Sequence, residues 1–195
     1  EKRIYKAQCY GNVEPIEYMT PYPNLPALVE GQNVKYKDHL LYHDLDMTNE
    51  DFFKLVQKTT HWLKASGAKP KDRVLISGIQ FPWAECIAFA VWTIGGTLVI
   101  SNQDDYQTAK SLSKPKLTVQ ADINVEKEIN AFDEQFEPEF NANLQDEALI
   151  YWTNGKGIRL SHYNLLVNAN GVQKNLDLFE QDTYLIQLKA DSTAW

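Results

Sequence analysis

Apolar positions along the chain switch period several times, and each switch marks an element. Over residues 47–66, Phe52, Leu55, Val56, Thr59 and Leu63 recur at helical spacing and fall on one face. Thr48, with Asp51 three residues later, gives a start related to the capping box, and Gly67 gives a stop. The short apolar runs at 74–77 and 97–100 read as buried strands. Between them lies a helix that starts near Pro82, runs through Trp92 and stops at Gly95-Gly96. A strand, a helix and a strand over this distance predict a right-handed parallel crossover. The same reading predicts helices over 104–113 and 125–136 and a strand over 116–120. A loop around Pro138 leads to a strand at 148–152, followed by a tight polar loop at 153–157 and a short strand at 158–160. A helix over 161–176 capped by Ser161 and a strand over 183–188 complete the series. Alternation of this kind predicts an α/β fold with a largely parallel sheet flanked by helices.

The first 46 residues follow a different pattern. Residues 1–30 hold Pro15, Pro21, Pro23 and Pro26 among tyrosines, with little periodicity, and read as an extended N-terminal arm docked by its aromatics. Residues 33–42 read as a short hairpin or loop. The expected organisation is therefore an arm over 1–46 and an α/β domain over 47–195. That domain is expected to be incomplete, because the chain begins without Met and stops directly after a strand-like run.

Composition narrows the function classes. The chain has 195 residues, 44% of them hydrophobic and 23% charged, as in ordinary globular proteins. A net charge of −7 and the lack of a Lys/Arg stripe argue against a nucleic-acid partner. The longest apolar run, residues 84–100, is interrupted by Glu85 and Gly95-Gly96 and is too short for a membrane span. Two cysteines, Cys9 and Cys86, give no disulfide framework, and a reducing cytoplasmic setting is the default expectation.

Candidate chemistry is concentrated at Thr153, Asn154, Gly155, Lys156 and Gly157. A hydroxyl, an amide side chain, two glycines and a lysine between apolar strands are the parts of an anion-binding loop. They are equally the parts of an ordinary hairpin with Asn-Gly at its turn. Elsewhere, His39, His43, Asp44 and Asp46 could be drawn as a metal cluster, but the segment lacks a helical stripe and reads as solvated loop. His162 has no nucleophile and orienting carboxylate to act with, so it reads as structural.

The run from Thr153 through Leu160-Ser161-His162-Tyr163-Asn164 resembles the adenylate-forming superfamily of acyl-CoA synthetases, luciferases and peptide-synthetase adenylation domains. Their loop reads Thr-Ser-Gly-Ser/Thr-Thr-Gly-x-Pro-Lys-Gly, followed by Leu-Ser-His-x-Asn. Two further blocks are similar to that family. Residues 67–76, Gly-Ala-Lys-Pro-Lys-Asp-Arg-Val-Leu-Ile, match a Gly-Val-Lys-Pro-Gly-Asp-Arg-Val-Ala-Ile strand entry, and residues 88–100 match a helix-to-strand passage. The resemblance implies the N-terminal part of an ATP-dependent ligase that joins a carboxylic acid to ATP, releasing pyrophosphate. The acyl-adenylate would then pass to coenzyme A or a carrier protein. It implies that Thr153, Asn154, Gly155, Lys156 and Gly157 face the ATP phosphates, with Mg²⁺ as the accompanying ion. No aromatic-Gly-x-Thr-Glu segment, Thr-Gly-Asp segment or C-terminal catalytic lysine follows, so the chain alone is expected to be inactive. The alternative is a non-catalytic, AMP-binding-like interaction module with a degenerate loop. Between Gly155 and Lys156 the family carries several more residues. Either the loop is shortened or a mobile stretch is absent from the numbering; exposed glycine-rich loops favour the latter.

Overall fold

The computed structural model describes residues 20–179 and 182–192. Five strands form the main sheet: β3 (Arg73–Ser77), β4 (Thr97–Ser101), β5 (Leu117–Gln120), β6 (Glu147–Thr153) and β7 (Lys156–Ser161). Their spatial order is β5-β3-β4-β6-β7. The first four are mutually parallel, and only β7 runs antiparallel, against β6. The expected α/β class with a largely parallel sheet is what forms.

Both faces are covered at β3, β4 and β6, which is why these strands read as continuous apolar runs. Val74, Ile76, Leu98, Ile100 and Leu149 face one way and pack against α3 (Trp83–Ile94), whose Ile87, Ala88 and Val91 are fully buried. Behind α3 lies α2 (Asn49–Ala65), started by a complete Thr48/Asp51 capping box. The alternate positions Leu75, Val99 and Ile150 face α4 (Tyr106–Ser113) through Tyr106 and Ala109. A short α5 (Val125–Ile129) precedes the loop into β6, and α6 (His162–Asn175) follows β7. The helix expected over 125–136 therefore stops at Ile129.

Two expectations are corrected. Within the expected N-terminal arm, Leu25–Tyr36 is a helix, α1. Asn24 caps it by accepting the Ala27 amide at 2.9 Å, and Pro26 sits in the first turn, where a missing N–H costs nothing. Pro26 marks a helix start, and residues 1–19 of the arm lie outside the described residues. Residues 33–42 divide between that helix and a three-residue β1 (Leu40–Tyr42), which pairs with β2 (Met47–Thr48). At the other end, residues 183–188 form no strand. Leu185 and Ile186 are exposed and pair with no strand among the described residues.

Lys69-Pro70-Lys71-Asp72 closes a turn through the Asp72 amide donating to the Lys69 carbonyl at 3.0 Å. Pro at the second position and φ +69° at Lys71 make it type II, whose third position favours glycine. A lysine there carries left-handed strain of about 1–2 kcal/mol. Glycine would relieve it but lose about 0.5–1 kcal/mol more in unfolded-state entropy. Lys71→Gly is therefore expected to raise stability by about 0.5–1 kcal/mol in urea denaturation; an unchanged or lower midpoint would contradict this backbone assignment.

Candidate functional site

The five candidate residues come together at the tip of the β6–β7 hairpin, beyond the carboxyl end of the parallel strand β6. Open α/β sheets generally hold their ligands outside the carboxyl ends of their strands. Thr153 pairs with Lys156 across a two-residue turn made by Asn154 and Gly155. Their φ values of +50° and +70° are the pair of positive angles that a type I′ turn demands, which Asn-Gly supplies at least cost. Gly155 and Lys156 are therefore joined in a regular hairpin, the shortened-loop alternative. Ser161 then caps α6, accepting the Asn164 amide at 3.3 Å in a reciprocal box.

Each residue of the tip has a definable task. The Gly155 amide donates to Oδ1 of Asp105 at 2.8 Å, so that donor is already held by a carboxylate. Asp105 is 9% exposed and sits just before α4. At Gly157 a Cβ would lie 3.0 Å from two ring atoms of Trp152, so this glycine permits the strand to close over the indole. Lys156 is exposed and makes no ion pair among the described residues. As arranged, the tip offers one free ammonium and the Thr153 and Asn154 side chains. A multi-amide phosphate cradle is not formed.

Sequence reasoning missed the ground beside the hairpin. Ser77, Ser101 and Trp152 occupy adjacent strands near their carboxyl ends, with Ser101 and Trp152 in register and Ile76 in register with Ile100 one residue earlier. All three are buried, and Ser77 Oγ, Ser101 Oγ and Trp152 Nε1 have no protein partner. Buried polar groups are ordinarily hydrogen-bonded, so a row of three facing one side of the sheet suits an acceptor-rich group. Only the strand register brings them side by side, and no spacing in the sequence reveals it. Asp105 reaches Gly155 from 50 positions away, and no spacing in the sequence reveals that either.

His162 is 1% exposed, and its Nδ1 accepts the Leu25 amide at 3.3 Å, tying α6 to α1. Burial pushes its pKa down to about 4, opposed by the charge of Asp146. The ring is a neutral structural acceptor, in keeping with the sequence reading. His39, His43, Asp44 and Asp46 are all exposed. Among the described residues no group of three His, Cys, Asp or Glu side chains could hold a metal ion.

No family model matches the sequence, and no curated protein matches it. Solved structures do match the fold. A nonribosomal peptide synthetase, FmoA3, superposes with a TM-score of 0.74 at 11% identity, over 90% of this chain and 22% of that one. An artificially fused adenylation–PCP di-domain from Klebsiella oxytoca, NpsA-ThdA, gives 0.62 at 14% identity, over 72% and 30%. The N-terminal domain of FACL13 from Mycobacterium tuberculosis gives 0.62 at 16% identity, over 71% and 44%. The chain thus spans less than half the length of these structures. Its resemblance to adenylate-forming enzymes holds at the level of the fold, in their N-terminal part.

No described helix is long and apolar enough to cross a membrane. The titration of His162 sets a pH dependence. Its folded pKa lies below the ordinary 6.5, so the unfolded chain binds the extra proton first, and the stability held above pH 6.5 is lost as pH falls towards 4. Glu85, pushed up to about 7 by burial, acts in the opposite sense, favouring the fold as pH drops from 7 to 4.5. Comparing His162→Gln with wild type isolates the histidine. The variant is expected to be less stable at pH 7, with the deficit shrinking towards pH 4; a pH-independent deficit would mean that His162 is not held neutral.

Proposed function

Because the chain has the fold of the N-terminal part of adenylate-forming enzymes, we propose that it is a portion of an ATP-dependent carboxylate-adenylating ligase. In the complete reaction a carboxylic acid attacks the α-phosphate of ATP in line, giving acyl-adenylate and pyrophosphate. Coenzyme A or a carrier-protein thiol would then take the acyl group. Chemistry of this type needs groups held in position and charge neutralised more than it needs a covalent role for the protein. Thr153 and Asn154 supply side-chain hydrogen bonds, Lys156 a cation, and Gly155 and Gly157 close approach to the β- and γ-phosphates. The observation that carries the reading is the row of buried, unpartnered Ser77, Ser101 and Trp152 polar groups beside this hairpin at the carboxyl ends of the strands. A soluble, cytoplasmic setting accords with this chemistry.

One observation favours a second reading. Asp105 places a carboxylate on the Gly155 amide, and a like charge beside a phosphate site opposes occupancy. On that ground the chain would be a non-catalytic, AMP-binding-like interaction module whose phosphate turn is internally closed.

On either reading the isolated chain is expected to show no ATP–pyrophosphate exchange with any carboxylic acid; measurable exchange would contradict both. Thermal shift with ATP separates them. On the ligase reading ATP raises the melting temperature of the wild-type chain, and raises that of Asp105→Asn further. No shift in either protein favours the interaction module.

A further inference from the structure

The amino-terminal end of the sheet, opposite the hairpin, carries a separate cleft of about 640 Å³. That volume is typical of small-molecule sites. Lys71, Arg73, Lys114, Lys116 and Arg159 line it, against three carboxylates, Asp72, Asp146 and Glu147. We propose that this cleft binds a compact polyphosphate anion, independently of anything bound at the hairpin.

The carboxylates are already engaged. Glu147 lies between two guanidiniums: Arg73 donates from Nε and Nη2 to Oε1 at 3.2 and 3.1 Å, and Arg159 pairs with Oε2. That triad keeps one net positive charge. Oδ2 of Asp72 accepts the Lys69 amide at 2.9 Å, and Oδ2 of Asp146 accepts the Asn143 amide at 2.8 Å. Lys71, Lys114 and Lys116 form no ion pair among the described residues. A positive concavity on a protein of net charge −7 is no background property of the surface, and clefts focus such fields.

The lysine backbones add a second, independent observation. Lys71 and Lys114 hold φ values of +69° and +48°, at a type II turn and at the C-terminal cap of α4. Glycine fills such positions without strain, yet both carry lysine on the rim of one cleft. Their starting points are also fixed. The Lys71 amide donates to Gly95 O at 2.8 Å, that of Lys114 to Lys110 O at 3.2 Å and that of Lys116 to Arg73 O at 2.7 Å.

Compact ammonium charges around a concavity suit clustered phosphate oxygens. Pro115 and Phe140 in the wall offer apolar contact to whatever carries the phosphates. The cleft is too small for a duplex, and the overall charge repels nucleic acid. The seven residues of β6 separate the cleft from the hairpin by about 20 Å, so the two can be tested apart.

Titration calorimetry of the whole chain with inorganic pyrophosphate at low salt tests the proposal. Wild type is expected to bind, and more weakly as salt rises. Lys71→Gly and Lys114→Gly should each weaken binding about fivefold, and the double variant about 25-fold. Lys71→Gly relieves strain, so its loss of affinity cannot be laid to unfolding. Lys127→Ala on α5, away from the cleft, should bind as wild type does. Unchanged affinity in the double variant, an equal loss in Lys127→Ala, or wild-type binding no tighter than that of sulfate at matched ionic strength would each overturn it. On the ligase reading pyrophosphate also meets the hairpin, so the cleft's share is the affinity that Lys71→Gly and Lys114→Gly remove, and that share stands whether or not the ligase reading does.

Discussion

The structure depends on how β6 is held. Among the described strands it is the one paired parallel on one side, with β4, and antiparallel on the other, with β7. Three side chains fix it from neighbouring elements. Trp92 Nε1 donates to Ala148 O at 2.7 Å and Thr97 Oγ1 to Glu147 O at 3.0 Å, while Arg73 grips the Glu147 carboxylate. A slip of one residue would exchange Leu149 and Ile150 between the two buried faces, so register is strongly specified. Both candidate sites follow from it. The carboxyl end of β6 presents the hairpin, and its amino end presents Glu147 to the two arginines of the basic cleft.

At the hairpin, turn type decides the chemistry. A phosphate loop works by leaving several amides free and convergent. A two-residue type I′ turn instead sends the chain straight back, and here the Gly155 amide is taken by Asp105. The lysine and hydroxyl of the resemblance survive, but the amides are partly committed. Beside them Ser77, Ser101 and Trp152 remain buried and unpartnered, an arrangement with a desolvation cost that a bound acceptor would offset. The same few residues therefore hold one feature that favours an anionic ligand and one that opposes it.

Much of the fold was legible because its signals are local. The Thr48-to-Gly67 periodicity, the apolar runs of β3, β4 and β6, and the Gly95 stop of α3 each reflect burial on one face or two. The failures were of two kinds. Prolines among tyrosines near residue 25 read as an extended arm, although Asn24 and Pro26 form a helix start; the cap outweighed the composition. The apolar run at 183–188 read as a strand, yet a strand forms only by pairing, and among the described residues this run pairs with nothing. The site was legible in its residues but not in its surroundings. Asp105 reaches Gly155 from 50 positions away, the serine–tryptophan row needs the strand register, and the clustering of Lys71 with Lys114 needs the turns that bring them to one rim.

Residue-resolved amide hydrogen exchange across 153–157 tests the closed hairpin most directly. The account predicts that the Gly155 and Lys156 amides are protected, with Gly155 exchanging about tenfold or more slowly than an open-chain glycine, and that Asp105→Asn weakens the protection at Gly155. Exchange of both amides at open-chain rates would mean an unclasped loop at the end of β6, and would contradict the account.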